Sequence, residues 1–438
     1  MGGTPNRRRR RAGACLATTV LAGTLLAACG GGQSSGPVTI SFYDQPGSAT
    51  ATQANADACT KAANGRYKVK YIKLPTAADQ QRLQLVRRMA AKDSSVDVMG
   101  LDVTWEAEFA EAGWAEPWTG ENETKARADQ LPGPLATAIW KNKLYAVPYN
   151  SNTQLLWYRS DLVPKAPKTW DEMISMAQKL KSEKKPYYIE EQGAQYEGAT
   201  VWFNSMVASA GGSILNKDST KVALNDSALT ALQTMKKMAT TVANPSLGTS
   251  QEGQAQLQFE SGTSAFEINY PFVWSAMAAD KPTVKDARTG KTVQLMSLFK
   301  YAPFPTLIDG KQARSTIGGI DLAISPFSKH KDLAFEAALC LANKKNQLVG
   351  ATEGGLPPTL KSVYTDPPKD FVKLYPFYKL IYQQLKNAAV RPKTPAYQSV
   401  SIAISHSISP MNKIDPPKTL SSLKSQIADA LASKGLVP

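Results

Sequence analysis

The chain has 438 residues, 42% of them hydrophobic and 20% charged, with a mean hydropathy of −0.29; this supports a folded, soluble body of two or three domains and excludes a disordered chain or a multi-span membrane protein. Two histidines, His330 and His406, are too few for a histidine-based metal centre or for several catalytic triads. The formal charge of +15 falls to +10 once the five arginines Arg7 to Arg11 are set aside, and lysine pairs such as Lys184–Lys185 and Lys236–Lys237 are scattered and not interleaved with aromatics, which argues against nucleic acid as partner.

In chain order, residues 1–28 read as a leader: a basic start, an apolar stretch from Ala12 to Ala28, and Leu26-Ala27-Ala28-Cys29, the grammar of a bacterial lipobox. A short membrane anchor is the alternative, but about 17 apolar residues lie at the low edge of a bilayer span. Cys29 is therefore expected to carry lipid on the outer face of the plasma membrane, and residues 29–36 to form a flexible tether. The Gly32-Gln33-Ser34-Ser35-Gly36 match to a nucleophile elbow lacks the flanking strand and helix that such a serine needs.

Val38 to Tyr43 predicts a strand, followed by a loop through Gln45 and a helix carrying Cys59. Lys68 to Leu74 predicts a second strand, Gln80 to Ala91 a helix with Leu83, Val86 and Met89 on one face, and Val96 to Leu101 a third strand ending at Asp102. Strands alternating with helices predict a mostly parallel sheet covered on both faces. Asp102 then stands at the carboxyl end of a strand, where open α/β sheets take ligands; a helix N-cap near Thr104 is an equal reading. Farther on, Leu144 to Asn152 and Gln154 to Arg159 are strand-like, Thr169 caps a helix, Gly262 to Trp274 reads as a strand with aromatics at its end, and Thr316 to Ile324 as a strand leading to the helix of Cys340.

Four cysteines are present. Cys15 lies in the leader and Cys29 is the lipidation residue, which leaves Cys59 and Cys340 as a pair; in an exported chain a disulfide is the first hypothesis and two buried thiols the alternative. A bond would place both cysteines in one domain.

The lipobox, Asp97 to Val103, Leu144-Tyr145-Ala146-Val147-Pro148-Tyr149, Pro167 to Glu172, the strand at 262–274 and the Gly318–Gly319 strand occur in an order that resembles the family 1 extracellular solute-binding proteins of ABC sugar importers. More narrowly, Glu108 to Trp114, Leu131 to Ala138, Asn152 to Arg159, Glu353 to Pro357 and Ala389 to Pro392 are similar to the trehalose-binding lipoproteins of actinobacteria. The resemblance implies an α/β, two-lobed, flytrap-like fold with the ligand between the lobes: residues 37–151 and 317–365 in one lobe, residues 152–316 and 366–438 in the other.

It also implies a site. Asp102, Asn152, Glu267 and Arg391 would hold the hydroxyls of trehalose or a close α-linked glucose disaccharide, Gln45, Gly319 and Gly355 would add loop and backbone contacts, and Tyr270 and Phe272 an apolar platform. Carboxylates, amides and a guanidinium fork suit neighbouring hydroxyls, and charge-assisted bonds are the stronger kind. No catalytic residue, metal or cofactor is implied. The implied partners are the permease subunits with their cytoplasmic ATPase, and the receptor is expected to be monomeric. Maltose or cellobiose is the alternative ligand. A lipid-anchored glycoside hydrolase would also need two carboxylates about a sugar, but no motif supports an acid–nucleophile pair.

Overall fold

The computed structural model describes residues 36–47 and 49–433; the leader, Cys29 and the tether lie outside the described residues, apart from Gly36. One compact unit begins at Pro37. Its principal strands are β1 (Val38–Asp44), β2 (Tyr67–Lys73), β3 (Val98–Asp102), β4 (Ala146–Asn152), β5 (Leu155–Arg159), β6 (Tyr188–Glu190), β7 (Ser264–Asn269), β8 (Phe299–Ala302) and β9 (Gly318–Ile324). They form two separate sheets, β2-β1-β3-β9-β4 and β8-β5-β7-β6, each the floor of one α/β lobe.

The first sheet follows the alternating pattern that predicts it. β1 is buried from Ile40 onward, and β2, an edge strand, turns Lys68 and Lys70 to solvent while burying Tyr67, Val69 and Tyr71. Helices Ala49–Ala62 and Lys331–Leu341 pack on it, and a disulfide between Cys59 and Cys340, with Cα atoms 5.9 Å apart, joins them. The expectation of a mostly parallel sheet is corrected in one respect. β1 pairs with β2 and β3 in parallel, but β9 runs antiparallel to both β3 and β4, so the sheet is mixed. The reason is connectivity: β9 enters from the second lobe at the end where β3 and β4 finish.

The chain passes from one sheet to the other within Thr153 and Gln154, both wholly buried. In the second lobe Thr169 caps helix Trp170–Ser182 by accepting the Glu172 amide at 3.0 Å, and Trp170, Met173, Ile174 and Ala177 go into the core with Trp202, Phe203 and Met235. The aromatics after β7 are not on the strand. β7 stops at Asn269, and Phe272 and Trp274 lie on helix Phe272–Asp280, because Pro271 cannot donate to a ladder and suits a helix start.

A third apolar cluster unites Leu131, Ile317 and Leu360 with Trp157 and Phe299 of the second sheet and with Phe371, Tyr375, Phe377 and Ile381. Trp157 stacks on Phe299 at 5.1 Å and meets Phe377 edge-on at 5.4 Å. Residues 366–387 thus belong to a core that joins the second sheet to Leu131, Ile317 and Leu360, which lie outside the strands of either sheet.

Candidate functional site

The strand order converges on one edge. β1, β3 and β4 end there and β9 begins there; the register sets Ile320 opposite Asp102, Gly319 opposite Ser151 and Gly318 opposite Asn152. The carboxyl ends of open α/β sheets are where ligands settle. A cleft of about 430 Å³ lies against this edge, closed on the other side by Tyr196, Glu197, the start of helix Glu252–Glu260 and Tyr270. Its volume is within the range of small-molecule sites.

Eight of the nine residues expected to meet ligand line the cleft: Gln45, Asp102, Asn152, Tyr270, Phe272, Gly319, Gly355 and Arg391. Glu267 does not. It sits within β7 with no exposure, its Oε1 accepting from Asn269 Nδ2 at 2.7 Å and its Oε2 without a partner, and burial pushes its carboxyl up to about 8. The acids that the second lobe does present are Glu197 and Glu252; Glu252 stands in the first turn of helix Glu252–Glu260, beside the Tyr196 hydroxyl and raised by burial. Sequence reasoning missed it, although the reciprocal Gln251 and Gln254 capping box marks a helix start there.

Arg391 is the centre of the cleft's electrostatics. Its Nη1 donates to Glu197 Oε1 at 2.5 Å and its Nη2 to Asp102 Oδ1 at 3.2 Å, so one guanidinium holds carboxylates from both lobes. Glu197 also accepts from the Tyr397 and Ser401 hydroxyls, and burial still leaves it raised despite the arginine. Asp102 serves both roles foreseen for it in part: Oδ1 accepts from the Thr104 amide and hydroxyl at 3.0 and 2.8 Å, fixing the turn, while the side chain faces the cleft. The helix that follows starts at Glu106 without a side-chain cap.

Two glycines are required here. Gly319 has φ +136°, and a Cβ on it would lie 2.3 Å from the Asn150 carbonyl; Gly355 has φ +68°, and a Cβ there would lie 2.4 Å from the Phe272 Cα. Gly355 thereby lets the helix end of one lobe touch the chain of the other. Asn150 Nδ2 and Arg391 Nε, both in cleft-lining residues, are buried without a hydrogen-bond partner. Such groups in a cleft lined by amides, carboxylates and a guanidinium suit a polyhydroxylated guest. Among the described residues no cluster of three His, Cys, Asp or Glu could hold a metal ion, and no helix is long and apolar enough to cross a membrane.

Comparison with known proteins gives concordant results. A family model described as bacterial extracellular solute-binding protein matches residues 44–348. A probable ABC transporter-binding protein of Deinococcus radiodurans is 29% identical over 397 residues, covering 85% of this chain and 90% of its own length. Among solved structures, maltose-bound MalE3 of T. maritima superposes with a TM-score of 0.78 at 26% identity, covering 89% of this chain and 99% of that one. The GacH receptor of Streptomyces glaucescens shares the fold with a TM-score of 0.77 at 21% identity, over 91% of this chain and 100% of its own.

Proposed function

Since the chain belongs to the bacterial extracellular solute-binding proteins, we propose that its cleft captures trehalose, or a close α-linked glucose disaccharide, and delivers it to the permease of an ABC importer. The observation that carries this reading is the meeting of Asp102 and Asn152 from one lobe with Glu197, Glu252 and Arg391 at a single cleft of disaccharide size. A ligand that bonds to both walls stabilises the closed form in proportion to its preference for it, and closure is the signal a permease can read. Asp102 and Arg391 are the pair that would bridge the two walls, since Glu267, expected to hold hydroxyls beside them, is buried away from the cleft.

The maltose held by the T. maritima neighbour favours a second ligand, maltose, in the same cleft. The lipobox supports anchoring through Cys29, with a monomeric receptor tethered outside the membrane. The test is calorimetry on the chain beginning after Cys29, titrated with trehalose, maltose and cellobiose, beside a melting curve. At about 100 times its dissociation constant a true ligand adds about 2.7 kcal/mol of stability. Saturable one-to-one binding of trehalose in preference to maltose is the expected result; a response to maltose alone replaces the ligand, and silence toward all three overturns the sugar reading.

A further inference from the structure

Below Asp102 the first lobe buries two carboxyl groups that sugar binding does not use. Glu106, 1% exposed, opens helix Glu106–Glu111, and neither of its carboxyl oxygens has a hydrogen-bond partner. Asp321, with no exposure, lies on β9; its Oδ2 accepts from Thr137 Oγ1 at 2.8 Å and its Oδ1 has no partner. The charges of the two carboxyls act on each other and on Asp102, and the cation acting on both is Lys393, brought near Asp321 through the stretch 136–139, whose Thr137 donates to that acid. Lys393 Nζ donates to the carbonyls of Ala136, at 2.7 Å, and Ile139, in the first lobe.

The segment that carries this lysine is fastened to the second lobe. Its backbone amide donates to Ser219 Oγ at 3.2 Å, and two residues earlier Arg391 is held by Glu197. Separation of the lobes therefore draws the ammonium away from the acid pair.

We propose that Arg391–Pro392–Lys393 is a proton-linked lock: Lys393 seats beside the Glu106–Asp321 pair when the lobes close, and closure drives a proton off that pair. This rests on the binding reading of the cleft for its role, not for its chemistry. Two buried carboxyls whose charges act on each other resist ionising together without a neighbouring cation, so each favours its neutral form when the ammonium leaves. Burial holds Asp321 at about 8 and Glu106 well above its ordinary range even with Lys393 in place. In the open form the lowering influence of the cation on both acids is lost, which by itself raises the pair's affinity for the proton further. The closed form accordingly gains on the open form as pH rises through the titration of the pair, until Lys393, itself lowered by burial, gives up its own proton. Arg391, paired to Asp102 and Glu197, stays charged throughout and supplies the pH-independent part of the latch.

The test uses the chain after Cys29 without sugar, with one dye on helix Ala49–Ala62 and another on helix Pro416–Leu431 to report lobe separation by energy transfer. The ratio of closed to open protein is expected to rise about threefold or more between about pH 6 and about pH 8.5, since each unit of pKa difference between the two forms is worth a factor of ten. Glu106→Gln with Asp321→Asn should flatten the profile, and so should Lys393→Met, which leaves the acid pair intact and guards against misfolding of the first variant. A flat wild-type profile, or a rise that survives in both variants, overturns the lock. Calorimetry with trehalose in two buffers of different ionisation enthalpy then separates the two readings. Buffer-dependent heat showing proton release supports both; binding with buffer-independent heat removes the lock and keeps the receptor; a pH-dependent dye signal without sugar binding keeps the lock and removes the ligand.

Discussion

Arg391 owes its place to a geometry that lysine cannot copy, because two separate nitrogens of one planar fork reach Glu197 and Asp102. Arg391→Lys is expected to weaken sugar binding by about tenfold or more, the worth of one charge-assisted bond, with a melting temperature close to wild type; unchanged affinity by calorimetry would remove Arg391 from the site. Glu267 predicts the opposite pattern. Its carboxyl is raised to about 8 in the folded chain against the ordinary range for glutamate, so burial penalises the ionised form. The stability it permits is fully present below its unfolded pKa and is lost as pH rises through about 8. Glu267→Gln, which cannot ionise, should be more stable than wild type above about pH 8 by on the order of a few kcal/mol, melt at a higher temperature there, and bind sugar equally well. A loss of affinity would return Glu267 to the site.

Strands were legible where one face is apolar and the other polar, as in β2 with its alternating lysines, and helix Ala78–Ala90 was legible as a helix but not in its face: it buries Gln81, Arg82, Leu85 and Met89, while Leu83 and Val86, expected inward, are only half-buried. Legibility failed where the meaning of a run depends on its neighbours. The aromatics at Phe272 and Trp274 looked like the end of β7, and only the helix start at Pro271 sends them elsewhere. The direction of β9 could not be read at all, since an apolar run carries no arrow; it is set by which lobe the chain arrives from. The same limit put Glu267 where the second lobe presents Glu197 and Glu252. Glu267 lies in a strand interior that any period-two pattern buries or exposes alike, whereas Glu252 reaches the cleft because a helix begins beside it. At the β9 edge the element-level prediction is that Gly319→Ala displaces the Asn150 backbone, given φ +136° and the 2.3 Å approach. The cost of such strain is about 1–3 kcal/mol, and it should appear both as a lower melting temperature and as at least a several-fold loss of affinity. A variant that melts and binds as wild type would show that the edge has room to yield.

At the scale of the molecule, the lobes are assembled from segments far apart in the chain, and the Cys59–Cys340 bond, spanning 281 residues, pins the most distant of them. Composition and export alone suggested that pairing, and with it the return of the chain to its first lobe; the third apolar cluster around Trp157 and Phe377 had no such marker, because its members are spread over several segments with no common period. The bond joins two helices on the first sheet, and neither cysteine lines the cleft. Its contribution should therefore fall on stability and not on affinity. Closing a loop of this length restricts the unfolded chain, and loss of a native disulfide costs about 2–5 kcal/mol. Cys59→Ser with Cys340→Ser, or reduction followed by alkylation, is expected to lower the unfolding free energy by that much, seen as a lower melting temperature, while the sugar, at concentrations that saturate the cleft, still binds with wild-type affinity. Alkylation of both thiols without prior reduction would mean that the pair is not bonded in the exported protein. A fall in affinity equal to the fall in stability would mean that the first lobe needs the bond to hold Asp102 and Asn152 in register with β9.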